Sequence, residues 1–264
     1  MNKIQNIVLI GAGNVATHLG LAIQNTGRQI IQVYSRKEVT ARVLAEKLKT
    51  DFTVDLKTIY PDADLYIISV ADDAIERITG LLQVNRSLVV HTSGSVSLDV
   101  LRACSENYGV LYPLQTFSKE RKIEFSVVPL CIEANSKDNF LLLEQLAKNL
   151  SQKVVKVDSE ERKILHLAGV FACNFPNFMY RIADQILTEM KLDFDLLRPL
   201  ILETATKVQK MRPADAQTGP ASRGDKSILR KHDALLKEYP EYVEIYKMLS
   251  DGIRRSRNKW EIYE

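Results

Sequence analysis

The chain has 264 residues, 45% hydrophobic and 26% charged, which is ordinary globular material, long enough for a large core and two domains. Its formal net charge of +3 is mild and its basic residues are spread along the sequence, which argues against a nucleic-acid face or a membrane-binding patch. Cys104, Cys131 and Cys173 are widely spaced among apolar neighbours, so they are expected to be reduced and buried, as in a cytoplasmic protein, and no zinc-ligand spacing is present. No apolar run approaches the ~20 residues of a membrane span, and Met1 to Ile10 leads straight into a glycine turn, so no secretory leader is expected.

Ile7, Val8, Leu9 and Ile10 predict a strand buried on both faces of a parallel sheet. Gly11 ends it, and Gly11, Gly13 and Ala16 then fill a G-x-G-x-x-A pattern at the start of a helix over about 14 to 25. Each small residue has its own task. Gly11 permits the tight turn, Gly13 admits a diphosphate close to the backbone, and Ala16 with Gly20 lets the helix lie near the sheet. The amides of Asn14, Val15 and Ala16, at the positive end of the helix dipole, are the expected diphosphate ligands.

The second strand, 30 to 35, ends in Tyr34, Ser35, Arg36 and Lys37. A carboxylate here would accept hydrogen bonds from the ribose hydroxyl of NAD, whereas a hydroxyl beside two cations suits the 2′-phosphate of NADP. NADP is therefore the expected cofactor, bound through Ser35, Arg36 and Lys37. A helix over about 38 to 49 and a central strand at 64 to 70 follow. Ala71 is small enough for the cofactor to pass over the sheet edge, and Asp72 or Asp73 is expected to cap the next helix.

The strand at 86 to 94 carries His91, Thr92, Ser93 and Gly94 at its tip, where ligands of open α/β sheets lie. Ser93 is a candidate ligand near the nicotinamide, Ser95 or Ser97 a candidate helix cap, and His91 reads as a structural histidine before an acid. Residues 108 to 118 continue the sheet and break at Pro113, and Gln115 in the following loop is a candidate substrate ligand. A strand at 125 to 134, a helix at about 136 to 149 and a strand at 153 to 157 complete the α/β layer.

From Asp158 the period is helical. Asp158 and Glu161 form a capping-box pattern, and the helix that follows extends towards Met190. Residues 164 to 172 are apolar almost all round, which predicts burial in a domain centre or a subunit interface. At about 100° per residue His166, Asn174, Asn177 and Arg181 share one side, facing either a wet cleft or partners on other helices, with Pro176 expected to kink the helix. Further helices are predicted at about 193 to 210, 226 to 237 and 240 to 258. The turn-rich link 211 to 225 contains Arg223, an anion ligand, and Asp225, a helix cap. Arg254, Arg255, Arg257 and Lys259 fit a solvated helix end.

The order of parts resembles the superfamily of pyrroline-5-carboxylate reductase, 3-hydroxyacid dehydrogenases, ketopantoate reductase and deazaflavin-dependent NADP oxidoreductase. HTSG at 91 to 94, YPLQTF at 112 to 117, HLAGVFACNF at 166 to 175 and TGPASRGD at 218 to 225 resemble a bacterial branch of NADP oxidoreductases whose C-terminal domain has no assigned function. The resemblance implies an α/β fold: a Rossmann-type doubly wound sheet at 1 to 157, then an all-α domain at 158 to 264 similar to the 6-phosphogluconate dehydrogenase C-terminal domain. It also implies a homodimer through the helical domain.

In 3-hydroxyacid dehydrogenases a catalytic lysine stands four residues before an asparagine. Here Val170 stands four before Asn174, so the lysine is missing. The expected activity is hydride transfer between NADP and a small C=O or C=N substrate. His166 would move the proton while Asn174 and Ser93 orient the acceptor, and Gln115, Asn177 and Arg223 contact the substrate. A catalytically silent NADP-binding sensor or regulatory protein is the alternative, and no metal, membrane or nucleic acid is expected to take part.

Overall fold

The computed structural model describes residues 4–84 and 86–260, the side chains of 257–260 excepted; those of Arg257 and Lys259 lie outside the described residues. Eight strands form one sheet: β1 (Asn6–Ile10), β2 (Gln29–Tyr34), β3 (Asp51–Thr53), β4 (Leu65–Ile68), β5 (Leu88–His91), β6 (Asn107–Pro113), β7 (Leu130–Ala134) and β8 (Val154–Lys156). Their spatial order is β3-β2-β1-β4-β5-β6-β7-β8. The pairings from β3 through β6 are parallel, β7 runs antiparallel to β6, and β8 is parallel to β7. The chain leaves β1 in one direction to β2 and in the other to β4, so the switch point lies at the carboxyl ends of β1 and β4.

Alternation along β1 divides the core. Ile7 and Leu9 belong to the cluster that takes in residues of α1 (Asn14–Gln24), α2 (Glu38–Leu48) and α4 (Lys137–Leu150), while Val8 and Ile10 belong to the one that takes in residues of α3 (Asp72–Leu81) and a 3-10 segment at Leu98–Ala103. Strand β3 was not expected, being only three residues long with no buried side chain. The strand predicted at 125 to 134 is shorter. Phe125–Val127 is a 3-10 turn, and pairing begins at Leu130, just after Pro129, which has no N–H to give a ladder.

Helix α5 (Ser159–Gly169) opens with the expected capping box: the Asp158 carboxylate accepts from the Glu161 amide at 2.8 Å, and the Glu161 carboxylate from the Asp158 amide at 2.9 Å. The helix does not run on uniformly. Val170–Asn174 is a π-turn preceding α6 (Phe175–Glu189), so a count of 100° per residue does not carry across it. Nor is the segment buried within the chain. Ile164, Leu167 and Phe171 are 68%, 52% and 64% exposed, and Cys173 is exposed, whereas Cys104 and Cys131 are buried as expected.

Two compact units divide at Asn174 and Phe175, which places α5 with the sheet. The second unit holds α6, α7 (Arg198–Lys210), two short turns α8 (Pro213–Ala216) and α9 (Pro220–Arg223), α10 (Lys226–Leu235) and α11 (Pro240–Trp260). Asp225 caps α10 by accepting from the Ile228 amide at 3.2 Å. The two turns fall inside the link 211 to 225, which was expected to be turn-rich. Among the described residues no helix is long and apolar enough to cross a membrane, and no group of three or more His, Cys, Asp or Glu is placed to hold a metal ion.

Candidate active site

The glycine turn is fixed by contact on one side and open on the other. Gly11 has φ +125°, and a Cβ there would fall 2.0 Å from the Ser69 carbonyl oxygen at the end of β4, so only glycine lets the two strand ends approach. At Gly13 a Cβ would meet nothing within 4 Å: it would project into free space, the room a diphosphate needs. No side chain caps α1, and its bonding starts with Thr17 N–H to Gly13 O at 3.0 Å, so the amides of Asn14, Val15 and Ala16 precede the helical ladder. Ala16 is fully buried in the core and does not line the cleft, so of the three amides expected to bind the diphosphate only those of Asn14 and Val15 belong to cleft-lining residues, and a Cβ at Gly20 would touch Leu48 and Leu9 at 3.1 and 3.2 Å.

A cleft of about 990 Å³ spreads from this turn across the carboxyl ends of the strands. Gly11, Gly13, Asn14 and Val15 line one part, Ser35, Arg36 and Lys37 another, and Ala71, Ser93, Gln115 and His166 the remainder. At the β2 tip the Ser35 hydroxyl is 2.8 Å from the Thr40 hydroxyl, and the exposed Arg36 and Lys37 side chains form the cationic corner. Two more cations line the cleft, Arg77 on α3 and Lys119 in the loop after β6, and the linear pattern around neither one singled it out. A dinucleotide fits this arrangement: an open amide cradle at one point and a basic corner with no carboxylate at the β2 tip. Asp72 and Asp73 lie in the first turn of α3 but do not cap it. The N-cap is Ala71, and the Asp72 carboxylate instead accepts a short hydrogen bond from Ser95 Oγ.

At the β5 tip the Ser93 oxygen accepts from the Ser95 and Val96 amides, both at 3.1 Å. Those bonds use both of its acceptor sites, so the hydroxyl hydrogen is what Ser93 has left to offer a ligand. Ser97, not Ser95, caps the next helical segment by accepting from the Asp99 amide at 3.3 Å. His91 is completely buried and its Nδ1 accepts from the Ser93 amide at 3.2 Å. Burial first, then the nearby Arg162 charge, pushes its pKa down to about 4, which keeps the ring neutral and supports a structural role.

His166 enters the cleft from α5. Its Nδ1 lies 3.1 Å from the Tyr112 hydroxyl, with the two rings edge to face at 6.1 Å between centroids. Burial pushes the Tyr112 phenol up to about 12, so it remains protonated. A Cβ at position 94 would lie 2.6 Å from His166 Nδ1, so Gly94 makes the space that the imidazole fills. One turn before His166, Arg162 is fully buried, pairs closely with Glu133 on β7 and donates to the Val96 carbonyl at 2.5 Å. The Glu133 carboxylate also accepts from the Ser159 amide at 3.1 Å and hydroxyl at 2.9 Å. This anchor sets the face of α5 that turns towards β6.

Of the other predicted residues, Gln115 lines the cleft and its side-chain oxygen accepts from the Thr116 amide at 2.8 Å. Asn174 is an exposed residue at the end of the π-turn and is not among the cleft-lining residues. Asn177 on α6 and Arg223 at the end of α9 are exposed residues of the helical unit. Sequence reasoning missed Tyr112, Lys119 and Arg77, which the fold brings to the cleft from separate elements. The YPLQTF stretch contains Tyr112, but nothing in the stretch itself marks that hydroxyl as facing α5.

The family model described as "NADP oxidoreductase coenzyme F420-dependent" matches residues 6–94, and a "Domain of unknown function (DUF2520)" matches residues 128–253. Comparison with curated proteins returned no match. Among solved structures the chain is similar to the "putative NADP oxidoreductase BF3122" of Bacteroides fragilis, at 45% identity, covering 95% of this chain and 98% of that one, with a TM-score of 0.91. The protein TM1727 of Thermotoga maritima shares the fold at 23% identity, TM-score 0.76, covering 93% and 98%. An imine reductase of Myxococcus stipitatus in complex with NADP+ shares it at 18% identity, TM-score 0.64, covering 96% and 94%. The identity with BF3122 extends along nearly the whole of both chains, so this chain belongs to the family of NADP oxidoreductases that includes BF3122, in which a Rossmann-type domain precedes a helical one.

Proposed function

We propose that the chain is an NADP-dependent reductase that transfers hydride between the nicotinamide and the carbon of a small C=O or C=N group, with His166 moving the accompanying proton. The observation that carries this reading is one cleft with an uncapped glycine turn in one part and the His166–Tyr112 pair in another. The Asn14 and Val15 amides hold the diphosphate, and Ser35, Arg36 and Lys37 hold the 2′-phosphate. When bound, the cofactor supplies the hydride.

His166 supplies the proton from Nε2, since Nδ1 faces Tyr112. In the imidazolium Nδ1 donates to the phenol oxygen, and once Nε2 has given up its proton the neutral ring keeps its hydrogen on Nδ1 and that bond with it. One hydroxyl therefore serves both charge states, and the ring need not turn during transfer. Ser93 donates its remaining hydrogen to the acceptor heteroatom, and Gln115 binds the rest of the substrate.

The helical unit is proposed to pair with a second copy. Among its described residues only Ala221 and Leu236 are buried apolar side chains, while Leu196, Leu200 and Leu202 are 66%, 63% and 68% exposed. Apolar area of this kind is worth about 25 cal/mol per Å² when covered. Sedimentation equilibrium is expected to give twice the chain mass.

The function is tested by following NADPH oxidation with a panel of cyclic imines, keto acids and aldehydes. Turnover of a member of the panel, lost in His166→Ala without loss of NADPH binding, is expected. Tight NADPH binding with no turnover on any member would instead favour the catalytically silent alternative.

A further inference from the structure

The loop after β6 is strapped to the start of α1. Asn14 Nδ2 donates to the Phe117 carbonyl at 2.7 Å, and His18 Nε2 lies 2.9 Å from the Ser118 carbonyl. The His18 ring packs on Phe117 at 5.2 Å, and Phe117 is itself buried against Phe125. The strap fixes the backbone just before Lys119, whose ammonium donates to the Ala12 carbonyl at 2.8 Å, inside the glycine turn. Lys119 also lines the cleft and is half-buried.

From this placement we infer that Lys119 is a diphosphate-binding residue, adding a cation to the amides at the start of α1. The inference rests on the proposed cofactor site. A dinucleotide diphosphate carries two negative charges, and the helix start offers the equivalent of about half a positive one. Arg36 and Lys37 stand at the β2 tip, where the adenosine ribose binds, so charge at the glycine turn itself must come from elsewhere. The ammonium has three N–H groups. One is spent on Ala12, which aims the group at the turn, and two remain for phosphate oxygens.

The contact is common to NADPH and NADH, since both carry the diphosphate, and it is absent from adenosine 2′-monophosphate, which does not. Equilibrium titrations of wild type, Lys119→Met, Lys119→Gln and Lys119→Arg with these three nucleotides test the inference without turnover. Met and Gln are expected to weaken NADPH and NADH equally, by about tenfold, and to leave adenosine 2′-monophosphate unchanged, while Arg retains most of the affinity. Glutamine can still donate to Ala12, so a residue that merely held the strap would be restored by Gln. Dissociation constants within twofold of wild type in Lys119→Met, recovery in Lys119→Gln, or a loss confined to NADPH would each overturn the inference while leaving the cofactor site intact. A wild type that binds neither dinucleotide would overturn the site and the inference together.

Discussion

The Tyr112 hydroxyl lies 3.1 Å from His166 Nδ1, joining the fifth residue past the start of β6 to the middle of α5. With Nδ1 so engaged, Nε2 is the nitrogen left for a substrate, and the pair becomes the centre of the proton chemistry. Removing His166 as alanine is expected to lower kcat by about 10²- to 10⁴-fold, the usual contribution of a positioned acid or base. Tyr112→Phe keeps the ring and removes the hydroxyl. It is expected to lower kcat by about tenfold and move the alkaline limb of the kcat profile, where the proton donor is lost, with the NADPH dissociation constant unchanged. An unchanged pH profile in Tyr112→Phe would remove Tyr112 from the mechanism.

Gly94→Ala should act on the same pair through space alone. The new methyl would fall 2.6 Å from His166 Nδ1 and 2.7 Å from Cγ, so the imidazole must leave its position. A kcat loss approaching that of His166→Ala is expected, with the melting temperature changed far less. Full activity in Gly94→Ala would mean that the imidazole's position is not needed.

Arg162 lies beneath this arrangement, fully buried with Glu133 as its charge partner. Replacing the arginine by methionine strands the Glu133 carboxylate, and breaking a buried pair in this way costs about 3 to 5 kcal/mol. Denaturant unfolding of Arg162→Met is expected to show that loss. The double variant Arg162→Met, Glu133→Leu should recover part of it, because no uncompensated charge is then left.

His91 gives the fold a pH dependence. Its pKa lies near 4 in the folded chain, against about 6.5 for an ordinary histidine, so the unfolded chain binds the extra proton between those values. Stability attributable to His91 is full above pH about 6.5 and is lost as pH falls towards 4. The loss is at most about 3 kcal/mol, at 1.36 kcal/mol per pKa unit. His91→Gln should flatten the stability profile across this window, as read by urea unfolding at a series of pH values.

Much of the sheet was legible because its signals are local. The apolar run at 7 to 10, the glycines at 11 and 13 and the small residues at 16 and 20 each constrain their own neighbourhood, and the structure gives them the turn and packing expected. The Asp158–Glu161 cap was readable for the same reason. What escaped depends on distant partners. Asp72 has the right residue type and position for a cap, yet Ser95, 23 residues away, takes its carboxylate. Tyr112 and Lys119 acquire meaning only once β6 has been set beside α5 and its following loop against α1. The helix from Asp158 was right in type but not in phase, because the π-turn at Val170–Asn174 adds backbone that no apolar period announces.

Selectivity of the glycine-turn cleft is read most directly by titrating the wild-type chain with NADPH and NADH at fixed ionic strength. NADPH is expected to bind at least tenfold more tightly, with the difference largely abolished in Arg36→Ala. Equal affinities, or a preference for NADH with Arg36 in place, would contradict it.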